Sequence, residues 1–239
     1  MQIQQIRKVA IVDDTLSARE ELAETLEIVG FEPFIVENYW TEINSLVEHI
    51  QANSQAVICD HRLSDSGLAS FTGAELMPSL YKNKFPSLLI TQYTDQDIND
   101  SIRKYRDKIP IVLKREELID LYDIDTIGNK IKKGLETCSQ EFQNIMSSTR
   151  RPHRTFIHIV NINNGLVDAF VPSWNPYHAV SFPVSLIPDE FSSNIESRLK
   201  QKEDTWLIAC VNTGAEKADD LYFTKFEAAP ELDENDGLA

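Results

Sequence analysis

The sequence predicts an α/β chain in which a doubly wound, five-stranded parallel sheet is followed by a long helix and a smaller β-rich domain. Three observations lead there. Four apolar, mostly branched runs end on polar residues: KVAIVDD (Lys8 to Asp14), AVICD (Ala56 to Asp60), SLLIT (Ser87 to Thr91) and IPIVLK (Ile109 to Lys114). That is the pattern of parallel strands buried on both faces. Stretches of helical period alternate with these runs, as a doubly wound sheet requires. Past Arg151 the apolar period shortens to that of strands.

Taken in order, Thr15 to Val29 carries Leu16, Leu22, Leu26 and Val29 near one helical stripe, and Gly30 supplies the stop. Phe31 to Val36 is a weaker strand whose Pro33 suits an edge or a strand start. Trp40 to Ala52 is helical through Ile43, Leu46, Val47 and Ile50. Thr72 to Asn83 is the next helix, and Asp95 to Asp107 is expected to be helical through Ile98, Ile102 and Tyr105. From Asp123 to Ser147 there is no proline, and Ile124, Ile127, Ile131, Leu135, Cys138, Phe142 and Ile145 form a broad amphipathic stripe. This helix either covers the sheet or serves a homodimer. Ser147 to Pro152 is polar, basic and closed by proline, as a linker would be.

The second half reads as strands at 155–162, 165–171 and 178–187, a helix at 189–204, and strands at 206–211 and 220–226. Three strands, a helix and two strands is the element order of the OB-fold, with an SH3-like barrel or a small α+β sheet as the alternatives. Glu227 to Ala239 is acidic and aperiodic, as a disordered tail is.

In an open α/β sheet the carboxyl ends of the strands share one edge, and ligands bind there. Asp13, Asp14, Asp60, Thr91 and Lys114 are therefore expected to converge. Mg²⁺ takes about six oxygens and keeps several waters, so two or three carboxylates suffice. Crowded carboxylates without a cation repel one another and push a pKa upward. In this reading Asp60 is a nucleophile that forms an acyl phosphate. Mg²⁺ and Lys114 offset phosphoryl charge, and Thr91 donates a hydrogen bond.

On these residues the chain resembles the receiver domain of two-component response regulators, over residues ~6–120. The resemblance implies a flavodoxin-like sheet with Asp14 as a direct Mg²⁺ ligand and Asp13 as a ligand through water. Asp60 would be both phosphoacceptor and ligand, with the backbone carbonyl of Arg62 as another. It also implies a histidine kinase or phosphotransfer protein as phosphodonor. Departures accompany the match. Ile111 stands where the family has an aromatic switch, Arg115 where it has proline, and Gln92 where it has a small residue. The loop His61 to Gly73 is several residues longer than usual.

The boundaries that follow are a receiver domain over 1–122, a long helix over 123–148, a linker over 149–154, a β-rich domain over 155–228 and an acidic tail over 229–239. The chain has 239 residues, 42% of them apolar and 26% charged, which is ordinary for a globular protein. No run approaches a membrane span, no signal peptide is visible, and three scattered cysteines make neither a disulfide framework nor a zinc site. A cytoplasmic setting fits. The net charge of −15, and 14 acidic against 7 basic residues from Arg151 onward, argue against nucleic acid as a partner.

His153 and His158 lack companions at ligand spacing, and the aromatics Trp174, Tyr177 and Phe182 are either a recognition surface or barrel packing. The reading is a response regulator with a non-DNA-binding protein-interaction module, not an enzyme acting on a small molecule. A phosphate buffer or relay intermediate without output, and an OB-type nucleic-acid-binding output domain, are the alternatives.

Overall fold

A computed structural model of the chain describes residues 6–65, 67–92, 98–118 and 124–230. The chain forms two units. The first holds the described residues up to 92 and the described ones from 105 to 147; the second holds 98–104 and 148–230.

The first unit contains strands β1 (Lys8–Val12), β2 (Glu32–Ile35), β3 (Ala56–Asp60), β4 (Ser87–Thr91) and β5 (Ile111–Lys114). They pair in parallel in the order β2-β1-β3-β4-β5. This is the flavodoxin-like order, which reverses direction at β1 and β3 and places a ligand crevice at that switch point. Helices α1 (Leu16–Ile28) and α4 (Ile124–Phe142) cover one face. There Val9, Ile11, Ala56, Ile58, Leu88 and Ile90 pack with Leu22, Leu26, Ile127, Ile131, Leu135 and Cys138. The alternate residues Ala10, Val12, Val57, Cys59 and Leu89 are equally buried and turn to the other face. On that side α2 (Ile43–Asn53) and α3 (Gly73–Lys82) pack on each other and bury Leu46, Val47, Ile50, Leu76, Met77 and Leu80.

Local chemistry sets the boundaries. α3 opens on a capping box, in which Thr72 Oγ1 accepts from Glu75 N and Glu75 Oε2 accepts from Thr72 N at 2.8 Å. α4 spends its apolar stripe on the unit's own core. Gly134 lies against Leu88, where an added Cβ would stand 2.9 Å from Cδ2. The helix is shorter than its sequence pattern, because Asn144 takes φ +64 and Ile145 N returns to Gln140 O. Among the described residues no helix is long and apolar enough to cross a membrane.

The stretch expected to be one helix over 95–107 is not an α-helix where it is described. Ile98–Ile102 is a π-helical turn and Arg103–Lys108 a 3₁₀ segment; residues 93–97 lie outside the described residues. Residues 98–104 group with the second unit because Arg103, 2% exposed, is drawn into it. Its Nη1 donates to Ala218 O and Leu221 O at 2.9 Å each, and its Nη2 to Asn99 Oδ1 at 2.7 Å.

The second unit's sheet comprises β6 (His153–Asn163), β7 (Leu166–Val171), β8 (Asn175–Pro183), β9 (Thr205–Val211) and β10 (Phe223–Ala228). It is antiparallel, in the order β10-β9-β6-β7-β8. Helix α5 (Asp189–Lys200) follows β8 and lays Ile195, Phe191 and Leu199 on the inner face. That face alternates as a half-buried strand must: Ile157 and Ile159, Val167, Ala169 and Val171, Leu207, Ala209 and Val211. The edge strands β8 and β10 meet through rings, Phe182 stacking on Phe223 at 4.4 Å, while no ladder joins them among the described residues. The sheet is thus curled but not hydrogen-bonded shut.

The segment expected as a linker over 149–154 is built into this unit. Tyr222 Oη donates to Arg150 O at 2.6 Å, Asn212 Nδ2 donates to Thr149 O at 2.9 Å, and β6 already begins at His153. The acidic tail expected over 229–239 lies outside the described residues from 231 onward.

Candidate functional site

The switch point of the parallel sheet is where three of the strand-end residues gather. β1 ends at Val12 and carries Asp13 just past it, 2% exposed. β3 ends on Asp60, 8% exposed, and β4 ends on Thr91, 2% exposed. The register pairs Asp60 with Ile90, so Thr91 stands one residue further along the same edge. Parallel strands with one polar terminus each bring groups 47 and 31 positions apart in sequence to one place (Asp13 to Asp60 and Asp60 to Thr91).

Asp60 is held on both sides. Its Oδ2 accepts the Arg62 N–H at 2.7 Å, and its Oδ1 accepts from Arg115 Nη2 at 2.7 Å. The same Nη2 donates to Asp13 Oδ2, and Asp13 Oδ1 accepts the Thr15 N–H at 2.9 Å. One guanidinium nitrogen therefore bridges two buried carboxylates. Burial pushes the Asp60 carboxyl upward; the Arg115 hydrogen bond opposes this and the Asp13 charge adds to it, leaving it raised. Burial works against the Arg115 charge, but Asp13 and Asp60 outweigh it and hold Arg115 above its ordinary value. Cys59, fully buried with its Sγ 3.2 Å from Asp60 O, is pushed well up by burial and then by Asp60 and Asp13, so it stays a thiol.

Asp14 is half-buried next to this pair, with Thr15 Oγ1 donating to its Oδ1 at 3.3 Å. Lys114 closes β5 opposite Thr91, but its side chain is exposed. Arg115 is the cation that reaches the carboxylates. It was legible in the sequence only as a departure at the family's proline position. The signal available was a second cation directly after the strand-end lysine. The strand pleat sends Lys114 outward, and the 3₁₀ turn Arg115–Leu118 that follows swings the next side chain in. Ile111 and Leu113 face the α1/α4 side and are half-buried against its core.

The loop after Asp60 is tied at its neck. His61 N donates to Ile90 O and Gly73 N donates to His61 O, both at 2.8 Å. A Cβ on Gly73 would fall 2.1 Å from Asp60 O, so only glycine lets α3 begin there. Between these ends Leu63, Leu68, Ala69 and Phe71 are buried, and Trp40 exchanges backbone bonds with Leu68 and Ser70.

The donors facing this edge are carboxylate oxygens, which suit a hard divalent cation. Two buried carboxylates face one buried guanidinium, so the pocket has room for further positive charge. As the side chains lie, Arg115 holds Asp13 and Asp60 to itself, and among the described residues no three His, Cys, Asp or Glu side chains form a ready metal cluster.

No protein-family model matches the chain, and no curated protein matches it. Among solved structures the chain is similar to the signal receiver domain of an HD-domain-containing protein from Pseudomonas fluorescens Pf-5, at 14% identity and TM-score 0.45, covering 60% of this chain and 96% of that one. It is also similar to a response regulator receiver domain protein (CheY-like) from Methanospirillum hungatei JF-1, at 17% identity and TM-score 0.42, covering 57% and 99%. A response regulator receiver domain protein from Clostridium thermocellum follows at 13% identity and TM-score 0.41, covering 59% and 100%. The matched stretch is the N-terminal part of the chain, where the five-stranded parallel sheet lies.

Proposed function

We propose that the first unit is a phosphoryl-accepting receiver with Asp60 as its acceptor. The observation that carries this reading is the gathering of buried Asp13, Asp60 and Thr91 at one sheet edge, with a guanidinium on both carboxylates. A carboxylate oxygen of Asp60 attacks the phosphorus of a phosphohistidine on a kinase or phosphotransfer protein. The O–P bond forms as the P–N bond breaks, and the imidazole leaves with a proton. The Arg62 N–H fixes the plane of the carboxylate. Thr91 offers its hydroxyl to the arriving phosphoryl oxygens, and Lys114 supplies positive charge from the solvent side. Asp13, Asp14, Asp60 and the backbone carbonyl of Arg62 are the groups that would hold Mg²⁺, which when bound supplies charge neutralisation at the phosphoryl oxygens.

The second unit serves as a protein-docking module in a cytoplasmic phosphorelay, and the chain is not an enzyme for a small-molecule substrate. Its cations support this reading over nucleic-acid binding. Arg154 is paired with Glu227 at 2.7 Å, Arg198 with Glu203 at 3.6 Å and Lys200 with Glu196 at 3.7 Å, while Arg103 and Arg150 are buried. The other exposed cations from residue 151 onward, Arg151, Lys202, Lys217 and Lys225, are outnumbered by the 14 acidic residues there, a poor match for a phosphate backbone. Tyr177, 93% exposed, is its most open aromatic, whereas Trp174 is committed to a 2.8 Å bond with Ala215 O.

The test is intact-mass spectrometry of the full chain after incubation with a small phosphoramidate donor and Mg²⁺. One phosphoryl group is expected on wild type and none on Asp60→Asn. Equal labelling of the two proteins would overturn the assignment.

A further inference from the structure

We infer that Arg115 is a resident counter-cation which a divalent metal must displace, so that the pocket exchanges one cation for another instead of filling a vacancy. The inference rests on the reading of this edge as a phosphoryl-acceptor site with a divalent cation. Its geometry belongs to this chain's own residues. A single nitrogen, Arg115 Nη2, lies within bonding distance of Asp13 Oδ2 and of Asp60 Oδ1, where it spans the two deepest carboxylates. The Arg115 side chain is 9% exposed, and those of Asp13 and Asp60 are 3% and 10% exposed.

An ion held through Asp13 and Asp60 would draw on carboxylates that this guanidinium nitrogen already bridges and would carry the same sign beside it, so each opposes the other's binding. Charge supports exchange as well. Two buried carboxylates left with neither cation would repel, so whichever cation leaves must be replaced. Lys114, exposed at the end of β5, does not compete for the oxygens, which makes the competition particular to Arg115. If the latched arrangement holds about nine-tenths of the molecules, the apparent metal affinity is reduced about ten-fold from its intrinsic value.

The experiment is calorimetric Mg²⁺ titration of full-length wild type, Arg115→Gln and Arg115→Lys, with thermal melts of each in chelator and in Mg²⁺. Arg115→Gln keeps a polar amide at the site but removes the charge. It is expected to bind Mg²⁺ about ten-fold more tightly than wild type, to melt below wild type in chelator and to regain the difference in Mg²⁺. Arg115→Lys, which keeps a cation, is expected to stay near wild type. Equal or weaker Mg²⁺ binding by Arg115→Gln overturns the exchange while leaving the metal site itself standing. Failure of all three proteins to bind Mg²⁺ sinks the exchange together with the metal. Arg115→Gln that cannot fold even in Mg²⁺ also overturns it, because the metal would then not replace the missing charge. Asp60 labelling is read separately, so loss of the acceptor assignment is distinguishable from each of these results.

Discussion

Replacing Arg103 by alanine should unfold the second unit selectively, although residue 103 lies some 45 positions before that unit's main segment begins at Ser148. The side chain is 2% exposed and donates to the carbonyls of Ala218 and Leu221 and to Asn99 Oδ1. Hydrogen bonds from a charged donor contribute about 1.5–3 kcal/mol, and a buried carbonyl left without a donor costs about 1–3 kcal/mol. Ala218 O keeps the Leu221 N–H at 3.1 Å, so with Leu221 O as the carbonyl that loses its Arg103 donor the loss should be about 3–5 kcal/mol, a large share of the roughly 5–15 kcal/mol that holds a domain together. At a urea dependence of about 1–2 kcal/mol/M, the midpoint should fall by about 1.5 M or more. Trp174 and Trp206 both lie in the second unit and Trp40 in the first. Tryptophan fluorescence in a Trp40→Phe background therefore follows the second unit alone. Arg103→Met separates the two contributions, because it keeps the aliphatic packing and removes only the donors. A midpoint for Arg103→Ala within about 0.3 M of the parent would refute the reasoning.

Gly73→Ala should lose at least about 2–3 kcal/mol in chemical denaturation and should also lose Asp60 labelling, since the new Cβ meets a backbone oxygen that cannot step aside. Ile111→Ala should cost about 1–2 kcal/mol, less than a fully buried truncation, because Ile111 is half-buried against its core; thermal melts of the two proteins settle the value. The raised Asp60 carboxyl has a signed consequence for pH. The unfolded chain releases this proton first, near pH ~3.9, so native stability falls as pH rises from there to the higher folded pKa and stays reduced at neutral pH. Scanning calorimetry in chelator should therefore find Asp60→Asn more stable than wild type near neutrality, with the gap closing toward about pH 3.5. A gap that widens on acidification would reverse the sign of the argument.

The parallel sheet was legible because its strands advertise themselves twice, by unbroken apolar runs and by the polar residue that ends each one. Asp13, Asp60 and Thr91 followed from topology alone. Arg115 did not, because a two-residue alternation at a strand end cannot say where the pleat gives way to a turn, and that switch decides which of two adjacent cations points inward. The 98–104 segment was opaque for a different reason. Ile98 and Ile102 do carry a helical spacing, and both are buried, but periodicity reports that a face is covered without naming the core that covers it. Nothing in the local apolar pattern distinguishes Arg103 from its neighbours Lys104 and Arg106; its two carbonyl partners are more than a hundred residues away. In the second unit the strand and helix order was readable, whereas the ring-to-ring meeting of β8 and β10 depends on how far the sheet curls, which no short window encodes.

The neck between His61 and Gly73 bears on how this protein could change over evolutionary time. The chain leaves β3 and enters α3 through one doorway, latched by the Gly73–His61 bond and by the close fit of Gly73 against Asp60. Past Arg62, whose N–H is tied to Asp60, the loop is measured against that latch and against Trp40. If the proposed function holds, lineages could lengthen, shorten or recharge the exposed stretch around Ser64 and Asp65, and so alter the rim, while the Arg62 N–H keeps its hold on the carboxylate. The long loop thus varies beside a fixed pair of anchors, Arg62 and Gly73. Gly73 and Arg62 are the positions in this loop where a change would reach Asp60 itself.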